Sequence, residues 1–270
     1  MQRFSAAFII LFALALTRAS ASMVDWDTLT WTPGSLSNSF DVDPANAGND
    51  VTVTVNGDTS TMQASLASGN PMTPAITRAF DGGFSPGHNT LELAANFTTN
   101  TQALTVTINF AATYTNGVAN VSFNLFDIDF SNVSGNTYQD LIKSISATST
   151  TGTSIAPTIT GLGANVSLAG TGLSQTLTGT ASTVDTGAGS GAGNATVTFN
   201  ATNIKSITFT YASTTMFANP TYQHIGIDDI TYTVVPEINP SWLSLPMCIA
   251  LASWSTVHHW KRQRRAARKQ

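Results

Sequence analysis

Apolar residues recur at every second position in segment after segment of this 270-residue chain. Val51, Val53 and Val55 alternate with Thr52 and Thr54. Leu104, Val106, Ile108 and Phe110 alternate with Thr105, Thr107 and Asn109. Val121, Phe123 and Leu125 continue the pattern, as do Val197 and Phe199, then Ile204, Ile207, Phe209 and Tyr211, then Ile225, Ile227, Ile230 and Tyr232. Ile142 and Ile145 mark a further run within Gln139–Thr148. Such alternation puts one face of a strand on a core and the other in water, as in antiparallel sheets. No stretch of the body has a helical period. Turn residues separate the runs: Asn56-Gly57-Asp58, Asp81-Gly82-Gly83, Asn116-Gly117 and Thr151-Gly152. The pair Asn116-Gly117, between Phe110 and Val121, is expected to close a hairpin. Many short strands at spacings of about 10 residues predict an all-β fold, an antiparallel two-sheet sandwich of jelly-roll type, in one domain from Ser22 to Val234.

That body must hold together by burial alone. The single cysteine, Cys248, lies outside it, so no disulfide within the chain is possible. Its charge is lopsided. All 15 acidic residues fall between Asp25 and Glu237, opposed there only by Arg78, Lys143 and Lys205, which leaves a net charge of −12. Such a charge argues against nucleic acid and anionic lipid as partners of the body and favours divalent cations.

The two ends are of a different kind. Met1–Ala21 has a basic start at Arg3, an apolar core from Ala6 to Leu16 and the small residues Ala19-Ser20-Ala21, the order of a secretory signal peptide cleaved after Ala21. At the other end, residues 242–260 form an apolar run of about 19 residues between Trp242 and Trp260, roughly 28 Å as a helix and enough for one membrane span. Tryptophan at both ends suits the two membrane interfaces. Lys261, Arg262, Arg264, Arg265, Arg268 and Lys269 follow as a basic stop that stays cytoplasmic and leaves the body on the other side. Residues 235–270 thus order a short motif, Val235-Pro236-Glu237, a span and a basic end. This order resembles the PEP-CTERM sorting tail read by exosortases in Gram-negative bacteria, with Ile238 where that family has a second proline. The resemblance implies export, anchoring in the inner membrane, an exosortase-like processing enzyme as partner, and final placement on the cell surface or in the extracellular matrix.

Four groups of residues could carry chemistry. Asp127 and Asp129, two apart at the end of a strand, would place both carboxylates on one face, where Ca²⁺ would relieve their repulsion together with Asp140. Asp228 and Asp229 lie on the last strand, Ile225-Gly226-Ile227-Asp228-Asp229-Ile230, and are expected to point to opposite faces. This segment looks like the closing strand of jelly-roll carbohydrate-binding modules. The resemblance implies a structural Ca²⁺ held by Asp228 with Asp25 or Asp27, which flank Trp26 on the expected first strand. Asp41-Val42-Asp43 through Asp50 lacks the glutamate of a calcium-binding EF-hand loop and reads as a polar turn. Finally, His88 and His224 are the only histidines of the body, and His224 beside Tyr222 reads as a strand-surface residue.

Nothing in this pattern specifies catalysis. The body has no Gly-x-Ser-x-Gly elbow, no His-Glu-x-x-His and no Walker loop, and Glu92 is its only glutamate before the tail. The expectation is a non-catalytic surface or matrix protein with a structural or adhesive role. The alternative is a carbohydrate-binding module acting on exopolysaccharide, with Trp26, Trp31, Tyr114, Tyr138 and Tyr222 as the aromatic platform. A hydrolase on the same scaffold ranks behind both.

Overall fold

The computed structural model describes residues 20–84, 87–180 and 189–236. The apolar core of the signal peptide, Glu237 of the sorting motif, the span 242–260 and the basic stop lie outside them. Among the described residues no helix is long and apolar enough to cross a membrane. The strands run in order β1 Ala21–Val24, β2 Ser37–Phe40, β3 Val51–Gly57, β4 Ala75–Thr77, β5 Thr90–Asn96 and β6 Ala103–Phe110. Then come β7 Val118–Phe126, β8 Phe130–Val133, β9 Asn136–Ser149, β10 Ser154–Ile155, β11 Thr158–Thr160 and β12 Val166–Ala169. The series closes with β13 Thr176–Gly179, β14 Ala195–Phe199, β15 Ile204–Ser213, β16 Tyr222–Ile227 and β17 Ile230–Val234.

All pairings among them are antiparallel, and the sheet they form curls into two facing layers. One layer runs β2-β3-β6-β15-β9, with β13 and β12 beyond β9. The other runs β4-β5-β16-β7-β14-β11. In that second layer β17 continues the line of β16 along β7, and β1 flanks β17 as β5 flanks β16. A single pairing, Ile204 with Val118, joins the layers at one end.

The period of two explains this folding. The alternating residues of β3, β6, β7, β14 and β15 are the buried ones, so each strand turns its valines, isoleucines and phenylalanines inward. Aromatic rings meet between the layers: Phe123 on Phe209 at 6.0 Å, Phe110 on Tyr232 at 5.0 Å and Phe97 on Tyr211 at 5.6 Å. Each such apolar side chain contributes about 1.5–3 kcal/mol on burial, and these are what hold a body without disulfides together.

Three bulges break the alternation, one of them at Lys205, the extra residue of β15 between Ile204 and Ser206. Ser144 has φ +54°, and β9 sets two residues, Ser144 and Ile145, against Phe209 of β15. That extra residue is why the inward isoleucines of β9, Ile142 and Ile145, stand three apart and not two. Asn120, with φ +52°, does the same in β7 opposite Tyr232.

Three expectations need correction. Asn116-Gly117 does not close a hairpin. β6 pairs with β3 and β15 whereas β7 pairs with β14, β16 and β17, so this connection carries the chain from one layer to the other. Gly117 is required there for space: a Cβ would fall 2.7 Å from the backbone of Asn203. The Ile225–Tyr232 run is not one strand but two, interrupted at Asp228-Asp229. Asp25 and Asp27 lie not on the first strand but in the turn that follows it.

Candidate functional site

The interruption at Asp228-Asp229 is a junction of four strands. β16 ends at Ile227 beside β5, and β17 starts at Ile230 beside β1, so the end of β1 and the start of β5 meet there. Trp26 fixes the junction. Its backbone N–H donates to Asp229 Oδ1 at 2.9 Å, its indole N–H donates to the Asp228 carbonyl at 3.0 Å, and its ring is fully buried against Trp31 and Phe40. Asp27 accepts from the Asn89 N–H at 3.0 Å and faces Arg78 at 3.8 Å, an exposed pair that contributes little. Asp25 accepts from the Asp27 N–H at 2.9 Å. A polar chain runs inward: the Thr196 hydroxyl donates to Asn124 Oδ1 at 2.6 Å, and Asn124 Nδ2 donates to Asp228 Oδ2 at 2.6 Å.

With the strand broken, both carboxylates turn to the same side. Donor atoms of His88, Asp228 and Asp229 lie within 4.8 Å of one another, whereas the sequence pattern had set the two aspartates on opposite faces. Asp228 is 7% exposed, and its Oδ1 is buried without a hydrogen bond, 3.4 Å from His88 Nδ1. Burial raises the Asp228 carboxyl above the usual range against the pull of Asn124. Burial also pushes Asp229 up to about 6; the Trp26 N–H opposes this, and the charges of Asp228 and Asp25 add to it. Both shifts come first from burial, which disfavours the charged form. The donor set fits a divalent cation: carboxylate oxygens suit Ca²⁺, and the imidazole brings a ligand of the kind zinc prefers. His88 belonged to no sequence motif, because it reaches this place from a loop distant in the chain.

Asp127 and Asp129 occupy the turn between β7 and β8 and are buried, not solvated. Asp127 sits at φ +63°. Their neighbour Asp140 accepts from the Asp129 N–H at 3.0 Å and from the Tyr211 hydroxyl at 3.0 Å. Burial drives the Asp140 carboxyl well above its usual range, and the charges of Asp129 and Asp127 drive it further. The turn is tightly enclosed: a Cβ on Gly179 would fall 1.8 Å from the Asp129 carbonyl oxygen. Unlike the junction trio, these three carboxylates do not converge within 4.8 Å.

His224 is not on the surface. It is 6% exposed, stacks on Phe80 at 4.7 Å and places Nδ1 3.0 Å from Glu92 Oε1. The fully buried Glu92 also accepts from the hydroxyls of Ser65 and of Thr77, the latter at 2.8 Å. These contacts clamp the segment 59–84 over the outer face of β5 and β16. Ser65 donates to the carboxylate and not to the imidazole, so the serine–histidine contact of acyl transfer is not formed.

The expected aromatic platform is overturned by burial. Trp26, Trp31, Tyr114 and Tyr138 are core residues, and the half-buried Tyr222 spends its hydroxyl on the Ala64 carbonyl. Solvent instead meets a face of hydroxyls and amides on β2-β3-β6-β15-β9. Ser37, Thr54, Thr107, Thr208 and Ser146 stand in register across five strands, and so do Ser39, Thr52, Asn109, Ser206 and Thr148. At about 4.8 Å between strands, each row runs roughly 19 Å. All ten side chains are half-buried or exposed.

The fold and site define an antiparallel β-sandwich with an anionic junction and a hydroxyl-lined face. No known family model matches the chain, and no curated protein does. Among solved structures it is similar to the carbohydrate-binding module TmCBM27, described for specific mannan recognition, over 81% of this chain and 99% of that one, at 10% identity and a TM-score of 0.32. A second is CBM28, a module specific for non-crystalline cellulose, over 66% and 89% of the two chains, at 12% identity and a TM-score of 0.33. A third is the family 11 carbohydrate-binding module of Clostridium thermocellum with a β-1,3-1,4-mixed-linked tetrasaccharide, over 80% and 96%, at 14% identity and a TM-score of 0.28.

Proposed function

We propose that this chain is an exported, non-catalytic adhesive protein of the cell surface or extracellular matrix, whose jelly-roll-type body binds polysaccharide. The observation that carries the reading is the pair of in-register hydroxyl rows on β2-β3-β6-β15-β9. Hydroxyls and amides donate and accept, as sugar hydroxyls do, and a polymer can engage many of them at once. The face holds no aromatic platform, so affinity per sugar is low and binding depends on chain length. Retention of the purified protein in native gels containing polysaccharide tests this. The Thr107→Val/Thr208→Val variant keeps the strand-forming shape and removes two central hydroxyls, and its retention is expected to fall severalfold. Unchanged retention would remove the face from the account.

The junction of Asp228, Asp229 and His88, with Asp25 and Asp27 alongside, is the proposed seat of a structural divalent cation, Ca²⁺ or a zinc-class ion. The buried Asp228 Oδ1 without a hydrogen bond supports it. The ends of the chain complete the proposal: a cleaved leader, then the PEP-CTERM-like tail 235–270 presented to an exosortase-like enzyme while residues 242–260 hold the protein in the inner membrane. Deleting Trp242–Gln270 is expected to move the protein from the membrane fraction to the soluble exported fraction; continued sedimentation with membranes would refute the tail reading.

A further inference from the structure

We infer that the polysaccharide taken by the hydroxyl face is an anionic one, carrying carboxylates of the uronate kind. This rests on the polysaccharide reading above and names its chemical class. The body from Ser22 to Val234 holds 14 acidic and 3 basic residues, a net charge of −11, so a polyanion is repelled by nearly every part of it. The hydroxyl face is the exception. The outward positions of its rows, from Ser37 and Ser39 across to Ser146 and Thr148, contain no carboxylate.

Two of the three basic side chains of the body stand on this same face. Lys143 of β9 pairs with Thr210 of β15, in the row that continues through Thr105 to Asn56. Lys205 is the extra residue of β15 between Ile204 and Ser206, and it is exposed. Five residues of strand separate Lys205 from Thr210, so the lysines lie about 17 Å apart along the strands with the hydroxyl rows between them. Among the described residues neither lysine is in an ion pair, although carboxylates outnumber basic groups 14 to 3 in this body. Arg78, the third basic residue, faces Asp27 at the junction. Free ammonium groups at two ends of a carboxylate-free strip are complementary to a chain bearing carboxylates at intervals, whose sugar hydroxyls meet the threonines between. A neutral glucan would leave both lysines unused.

The test is retention of the full-length protein, in a non-ionic detergent, by immobilised polyuronate and by immobilised neutral glucan, without added divalent cations so that metal bridging to the carboxylates is absent. The expected result is retention by polyuronate above neutral glucan, weakened on the order of tenfold in Lys143→Gln/Lys205→Gln and lost as NaCl is raised toward about 1 M. Equal retention on both supports, indifferent to the lysine substitutions, would overturn the anionic class and leave the polysaccharide reading standing. Polyuronate binding that survives both the lysine variant and Thr107→Val/Thr208→Val would overturn the face. Retention by neither support, with a native circular dichroism spectrum, would overturn the polysaccharide reading and this inference with it.

Discussion

Asp50 shows how single side chains stabilise a loop that has no regular structure. Its carboxylate accepts from the N–H groups of Val42 and Asp43 at 2.8 and 2.6 Å, from Asn46 Nδ2 at 2.6 Å and from the Tyr114 hydroxyl at 2.8 Å. Burial alone would raise its pKa, but the bonds from Asn46, Asp43, Tyr114 and Val42 outweigh it and hold the carboxyl below its ordinary 3.8. The sign follows from linkage. A lowered pKa in the folded state gives stability that is present above 3.8 and is lost as pH falls below it. Asp50→Asn is therefore expected to cost about 2 kcal/mol at neutral pH and to flatten the acid limb of a pH–stability curve. An acid limb unchanged by the substitution would assign acid unfolding elsewhere. The sequence made this loop legible as a polar turn, because aspartate, asparagine and glycine cluster there. It could not show that Asp50 is buried, nor that Glu92 and His224, 132 residues apart, form one buried cluster. Burial of a polar group depends on what covers it, and the cover of Glu92 comes from a segment without a period of its own.

Elements were legible where one face is wet. β3, β6, β7, β14 and β15 alternate and were read as strands. β5 is buried on both faces beneath residues 59–84, so Thr90–Asn96 has no alternation to read. The partners of each strand were less legible still, since a turn pair such as Asn116-Gly117 serves a hairpin and a change of layer equally well. The bulges were invisible in the pattern, yet they set the register. Ser144 at φ +54° makes this testable: Ser144→Val is expected to cost about 1–3 kcal/mol, because a β-branched residue is strained in the left-handed region, whereas Ser144→Gly should leave the melting temperature nearly unchanged. Equal effects of the two would argue against the bulge. The four-strand junction supplies the second prediction at this scale. A cation that binds only the folded protein stabilises it by about 2.7 kcal/mol at a hundredfold excess over Kd, a rise of several degrees in melting temperature. Ca²⁺ or Zn²⁺ should raise the melting temperature, EDTA should reverse the rise, and Asp228→Asn should abolish it. A response to Zn²⁺ that His88→Gln removes would place the imidazole among the ligands. A loss of the shift in Asp127→Ala/Asp129→Ala, with Asp228→Asn unaffected, would move the cation to the β7–β8 turn.

For the whole molecule, two asymmetries set what it can do. Charge separates an acidic body from a basic terminal segment, which is legible in the sequence and underlies the proposed route through the membrane. Polarity separates an apolar interior from a solvent face of threonine, serine and asparagine, and at one point the structure departs from the sequence expectation. Aromatic residues suggest a stacking platform, yet Trp26, Trp31, Tyr114 and Tyr138 are buried inside, where they help fill the core of a body without disulfides. What remains for a partner is the hydroxyl face, whose composition the sequence displayed and whose continuity depends on a strand order that no local pattern encodes. The most direct test of the account is a polysaccharide and glycan array probed with the purified protein. The account predicts length-dependent binding to at least one polysaccharide class, reduced in Thr107→Val/Thr208→Val; an array on which the folded protein binds no glycan at any chain length would contradict it.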